Sequence, residues 1–238
     1  MSADVEVLFL RLQGPLQSWG ETARWSVRDT RLEPTKSGVV GLLAACLGWR
    51  RDDDARIAAL AAALRMGVRV DRPGVVVRDY HTVVGGVMSA QGKIKINANT
   101  GEPETVESWR DYLADAAFLV ALEGSHDTLD LLEAALRHPV WPPFLGRKGC
   151  PPSAPIYPAW PDAPSRWAGI GLEQALREAP CLGDEEPREP VRAIVEGRPG
   201  APGPGGVAQR RGDVPVSLTY RRFAHRYVYE TTIDVPRR

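Results

Sequence analysis

Lysine is almost missing from this chain of 238 residues. It occurs only at positions 36, 93, 95 and 148, so 26 of the 30 basic residues are arginine. An arginine fork fits phosphates and stacks on bases as lysine does not. A GC-rich coding composition, which raises Ala, Gly and Pro together with Arg, accounts for the same bias. An excess of charge is missing as well, with 30 acidic residues against the 30 basic ones. Net charge therefore gives no argument for nucleic-acid binding, and any such site must come from local clustering. Cysteine is scarce: Cys46, Cys150 and Cys181 lie far apart, no C-x-x-C occurs, and no histidine stands near them at zinc-ligand spacing. A zinc site or a disulfide framework is not expected. Asp4 and Glu6 precede the first apolar run, where a secretory leader would carry basic residues. The longest apolar stretch, residues 38–48, is too short to span a bilayer. The expectation is a soluble, cytoplasmic protein without membrane contact, metal or cofactor.

What is there is 43% hydrophobic content, enough for one full core, or for one domain and a smaller appendage. Residues 5–12 (VEVLFLRL) read as a strand ended by Gly14-Pro15. Residues 38–47 (GVVGLLAACL) read as a buried helix capped by Thr35 or Ser37, and residues 55–66 as a second, Ala-rich helix. Asp71-Arg72-Pro73-Gly74 is a turn signal between strands at 68–70 and 75–77. From 81 to about 109 the apolar periodicity stops, and residues 93–96 (KIKI) alternate like one arm of a solvated ribbon, so this segment is expected to project from the body. Residues 112–123 read as one strand, and 128–137 as an amphipathic helix capped by Asp127 or Ser125. Strands alternating with helices fit an α+β sandwich of ferredoxin-like type over residues 1–150. Residues 151–238 read as a Pro/Gly-rich part containing β structure packed on that body. It includes a final strand at 227–235 and a flexible loop at 197–206 (GRPGAPGPGG).

Three segments carry polar or small residues that a core pattern does not need. In residues 14–20 (GPLQSWG), Trp19 is either a core anchor or part of a loop whose backbone N–H groups, with Gln17 and Ser18, meet a ligand. In residues 34–38 (PTKSG), Lys36 and Ser37 open the buried helix, where free N–H groups and the helix dipole suit a phosphate. This is not a Walker A loop, because the leading glycine is missing. In residues 144–152 (FLGRKGCPP), Arg147 and Lys148 sit between glycines that allow close backbone approach. The alternative is an ordinary solvated turn. Arg221, Arg222 and Arg226 form a further basic group.

These three segments, in this order, together with residues 78–83 (RDYHTV), 112–124 (YLADAAFLVALEG) and 221–226 (RRFAHR), resemble the CasD family of the type I-E CRISPR Cascade complex. The resemblance covers nearly the whole chain. It implies a ferredoxin-like (RRM-like) body with an inserted β-hairpin thumb, which would be the projection at 81–109, and a small β-rich C-terminal part. It also implies a non-catalytic subunit that holds the 5′ handle of the crRNA. Expected partners are a CasC-type backbone subunit, a CasA-type large subunit and, through the assembled complex, target DNA. The RNA-contacting residues expected on this basis are Gln17, Ser18, Trp19, Lys36, Ser37, Arg78, His81, Arg147, Lys148, Arg221 and Arg222. The RNP1 pattern of an RRM is absent, so loops and thumb rather than sheet aromatics would hold the RNA. The alternative is a metal-independent endoribonuclease acting on repeat RNA, with His81, Tyr80 and Lys148 or Lys36 as its reactive groups.

Overall fold

A computed structural model describes residues 5–21, 26–86, 88, 92–183, 190–197 and 208–235. Its main sheet is formed by β1 (Val5–Gln13), β4 (Arg65–Arg72), β7 (Ala117–Ser125), β8 (Arg166–Ala168), β9 (Val191–Glu196), β10 (Gln209–Ser217) and β11 (Arg222–Ile233). The spatial order is β10-β11-β9-β4-β7-β1-β8, and every neighbouring pair is antiparallel. A smaller sheet holds β2 (Leu16–Gln17), β3 (Val27–Arg28), β5 (Val75–Val83) and β6 (Val106–Ala114). The helices are α1 (Lys36–Cys46), α2 (Asp54–Ala63), α3 (His126–Arg137) and α4 (Leu172–Glu178).

The central strand β7 is buried along nearly its whole length, which explains its unbroken apolar sequence. Its even-numbered side chains Phe118, Val120 and Leu122 share a core with Leu8, Leu10 and Leu12 of β1 and with α1, α2 and α3. Its odd-numbered Leu119 and Ala121 share a second core with Val7, Phe9, Trp160, Leu172 and Leu176. Period-two alternation thus feeds two cores from one strand. Arg69 lies wholly inside the second layer. Its guanidinium donates to the carbonyls of Leu176 and Ala179, at 2.8 and 2.5 Å, and so satisfies the end of α4.

The C-terminal part does not stand apart. The sheet begun by β1, β4 and β7 continues into β8 at one edge and β9–β11 at the other, across the expected boundary at 150. The expected flexible loop at 197–206 lies, beyond Gly197, outside the described residues.

The chain crosses between sheets at two adjacent points. Gly74, at φ +70°, links β4 to β5; a Cβ there would stand 2.5 Å from the Ala114 carbonyl oxygen. Asp115, at φ 57°, links β6 to β7. Residues 112–123 are therefore not one strand, as the sequence suggested, but the end of one and the start of another in a different sheet. The ribbon is also longer than its expected span of 81–109, since β5 and β6 pair from Val75↔Ala114 to Val83↔Val106. Residues 93–96 form no strand; among the described residues beyond the stem there are only the isolated bridges Met88↔Ile94 and Ile96↔Pro103. Among the described residues no helix is long and apolar enough to cross a membrane.

Candidate nucleic-acid interface

The three polar segments pack on one another. Ser18 N–H donates to the Leu145 carbonyl at 3.1 Å, and Gly146 crosses so close to Ser18 that a Cβ would lie 1.7 Å from its carbonyl oxygen. A Cβ on Gly14 would come within 2.8 Å of the Pro151 oxygen, and one on Gly38 within 2.8 Å of the Trp19 ring. One glycine in each segment, Gly14, Gly38 and Gly146, therefore serves close packing.

This arrangement decides several expected contacts. Trp19 is buried and donates its indole N–H to Gln17 Oε1 at 3.1 Å. Buried Gln17 donates to the Ala116 and Leu12 carbonyls at 2.8 and 3.1 Å. Ser18 is buried too, with Oγ donating to the Asp111 carbonyl. Ser37 is half-buried, 3.4 Å from the capping hydroxyl of Thr35. Gln17, Ser18 and Trp19 thus brace the loop from inside, and Ser37 lies half-buried at the helix cap.

Lys36 departs furthest from expectation. It is 3% exposed, and its ammonium donates to Glu196 at 2.9 and 3.0 Å and to the Leu64 carbonyl at 2.7 Å. The α1 N-terminus does hold an anion, but it is the chain's own: Lys36 N–H donates to Asp213 Oδ2 at 2.8 Å. Arg226 binds both oxygens of Asp213, at 2.7 and 2.8 Å, and also reaches Glu196 at 3.1 Å. Burial works to raise the Asp213 carboxyl, but Arg226, the Lys36 N–H and Arg211 together hold it below the usual carboxylate range. Arg226 is thus part of a buried ion network and not of the surface basic group.

The framework presents Arg147. Its guanidinium lies 4.6 Å from the centre of the Tyr112 ring and donates to the carbonyls of Asp111, Arg28 and Asp29 at 3.2, 3.0 and 3.3 Å. All three acceptors are backbone carbonyls. Arg28 and Arg110 are paired in register on β3 and β6 and share a face of the small sheet with Tyr112. Burial, then repulsion from Arg110, Arg147 and Arg221, holds the Arg28 guanidinium below its ordinary value. Arg28, Arg110 and Arg147 therefore share one surface, with Arg221 near enough to repel Arg28 and exposed Lys148 adjoining Arg147 in sequence. Of these, sequence reasoning named Arg147, Lys148 and Arg221 but missed Arg28 and Arg110. Extending the strand period upstream from Tyr112 would have found Arg110, whereas Arg28 sits in a two-residue strand with no periodic signal.

The other face of the ribbon is different. Tyr80 and Trp109 stand opposite each other with ring centres 5.4 Å apart. Arg78 is held by both oxygens of Asp111, at 2.6 and 3.0 Å. Tyr80 carries a hydrogen bond to Glu107 that helps raise its hydroxyl pKa. Arg78 is thus separated from the arginine cluster by the thickness of the sheet. His81 falls on the cluster's face by strand alternation, its Nδ1 3.7 Å from Asp79. Arg222 is exposed and lies 5.6 Å from the Tyr220 ring.

A family model described as CRISPR-associated protein (Cas_Cas5) matches residues 7–229. The CRISPR system Cascade subunit CasD of Escherichia coli (strain K12) is 41% identical over 161 residues, covering 63% of this chain and 69% of that protein. A crystal structure of a Cas protein superposes with TM-score 0.70 at 38% identity, over 98% of both chains. A chain from a CRISPR RNA-guided surveillance complex superposes with TM-score 0.72 at 30% identity, over 97% of this chain and 91% of that one.

Proposed function

This chain belongs to the CRISPR-associated Cas5 family, and we propose that it is a non-catalytic, RNA-binding subunit of a type I-E CRISPR surveillance complex, holding the 5′ handle of the crRNA. The observation that carries this reading is the gathering of Arg28, Arg110 and Arg147 around Tyr112, with Arg221 near enough to repel Arg28. Mutually repelling arginines of this kind suit a phosphate chain, since each phosphate bound releases condensed counterions and relieves the repulsion, with Asp79 the carboxylate paired opposite Arg110 in the ribbon. The connectivity β1-α1-α2-β4-β7-α3-β8, with spatial order β4-β7-β1-β8, supports describing the body as ferredoxin-like. The β5–β6 ribbon inserted between β4 and β7 fits the role of a thumb. The relatives named CasD and surveillance complex support CasC-type and CasA-type subunits as its neighbours, with target DNA reached through the whole assembly.

Cleavage of repeat RNA gains no support from the geometry. Lys36 is engaged inside the fold and Tyr80 is turned to the face opposite His81. A general base needs a partner within hydrogen-bond reach of the same reacting atoms.

Two measurements test the reading. Labelled repeat RNA incubated with the protein in EDTA should stay intact; site-specific cleavage abolished by His81→Ala would overturn the non-catalytic assignment. Ultraviolet cross-linking of guide RNA in the assembled complex should label peptides containing Arg28, Tyr112 and Arg147. Cross-links confined to the Tyr80–Trp109 face would move the RNA site there.

A further inference from the structure

The turn between β10 and β11 presents an aromatic side chain outward on a rigid mount. Tyr220 is 73% exposed, more than any other aromatic among the described residues. Arg222 stands 5.6 Å from its ring, and Arg221 is among the arginines that repel Arg28. The turn does not hang free. Asp54, the first residue of α2, accepts from Ser217 Oγ at 2.5 Å, Leu218 N–H at 2.9 Å and Thr219 N–H at 3.4 Å. Arg51 donates to the Leu218 carbonyl at 2.9 Å, while Thr219 Oγ1 donates to the Arg51 carbonyl at 3.1 Å. Tyr220 N–H donates back to Ser217 Oγ at 3.1 Å. Arg221 sits at φ 51°, a left-handed conformation uncommon for a residue with a side chain. A clasp of this kind can hold such a turn in one shape.

We propose that this turn is a base-stacking finger: Tyr220 receives one unpaired base of a single-stranded RNA whose phosphates lie on the neighbouring arginine cluster, and Asp54 is the positioning residue that holds the finger in place. The inference rests on the RNA-binding reading above. Stacking is the chemistry that suits an exposed, rigidly mounted ring with a guanidinium at its side, because every base offers a π-face whatever its sequence. Arg221 on the same turn links the base site to the phosphate site. Asp54 touches no RNA in this scheme; it acts only through the backbone of residues 217–219.

The test uses guide RNA bound by the assembled complex, with 2-aminopurine placed at successive positions of the 5′ segment. One position should show quenched fluorescence that recovers in Tyr220→Ala. Affinity should fall on the order of tenfold in that variant with an unchanged salt slope, because a base contact rather than a phosphate contact is lost. Tyr220→Trp should retain both quenching and affinity. Asp54→Asn should weaken quenching at the same position, and combined with Tyr220→Ala it should add little to the loss. Full quenching and affinity in Tyr220→Ala would overturn the finger. Loss in Tyr220→Ala with none in Asp54→Asn or Asp54→Ala would overturn the clasp alone. Failure of the underlying RNA surface is distinguishable, since Arg28→Ala and Arg147→Ala would then leave affinity and salt slope untouched.

Discussion

Replacing Lys36 by methionine separates a structural role from an RNA contact. The ammonium makes three hydrogen bonds, two to Glu196 and one to the Leu64 carbonyl, all within 3.0 Å. Breaking a buried ion pair by removing one partner typically costs about 3–5 kcal/mol. Here Glu196 keeps Arg226 at 3.1 Å and the Met66 N–H at 3.1 Å, so the remaining carboxylate is not stranded and the low end, about 3 kcal/mol, is expected. For a chain of this size about 2–4 °C of Tm accompanies each kcal/mol, which gives a fall of roughly 6–12 °C. Thermal denaturation of the purified protein measures it. Guide-RNA affinity of the assembled complex, followed across a salt series below the melting range, should keep its slope. Unchanged Tm together with a slope reduced by about 0.7 would refute the reasoning and put Lys36 on a phosphate.

Other expectations follow from the same contacts. Gly146→Ala should destabilise by about 2–5 kcal/mol in urea denaturation, from backbone strain at φ +88° plus the clash with Ser18, whereas Gly149→Ala, with open space at its Cβ, should change stability by less than about 0.5 kcal/mol. Replacing residues 84–105 with a short Gly-Ser link should leave a cooperative melt with Tm within about 4 °C, because none of the described residues there is buried. Asp213 has a depressed native pKa despite its burial, through Arg226, so its contribution is present above the unfolded value near 4 and lost as pH falls below it. Asp213→Asn should therefore flatten the acid limb of the stability curve. His126 is raised by its hydrogen bond to Glu6 and then by Asp130, so its imidazole should titrate above about 6.5 by NMR and return toward that value in Glu6→Gln.

Much of the body was legible because its signals are local. The Thr35 cap of α1 accepts from Gly38 N–H, and the Ser125 cap of α3 accepts from Thr128 N–H, as their sequence positions suggest. The turn at Asp115 was not legible: it interrupts an apolar run without Gly or Pro, and only the neighbouring sheet explains why the chain switches there. β9, β10 and α4 were hidden in a stretch dominated by Pro and Gly. At the site, Lys36 misled because its partner Glu196 is 160 residues away. The same helix end looked ready for phosphate because the carboxylate filling it, Asp213, comes from the far edge of the sheet. The glycine-flanked setting singles out Arg147 in the sequence, but its company with Arg28 and Arg110 depends on strand pairing that no spacing reveals.

The most direct measurement is the salt dependence of guide-RNA retention by the assembled complex carrying Arg28→Ala, Arg110→Ala and Arg147→Ala together, beside an Arg78→Ala control on the opposite face. If these arginines hold the phosphate chain of the handle, the slope of log K against log salt should fall by about 2 in the triple variant, about 0.7 for each contact, and stay unchanged in the control. A triple variant with the wild-type slope, or a control that loses slope while the triple does not, would contradict the account.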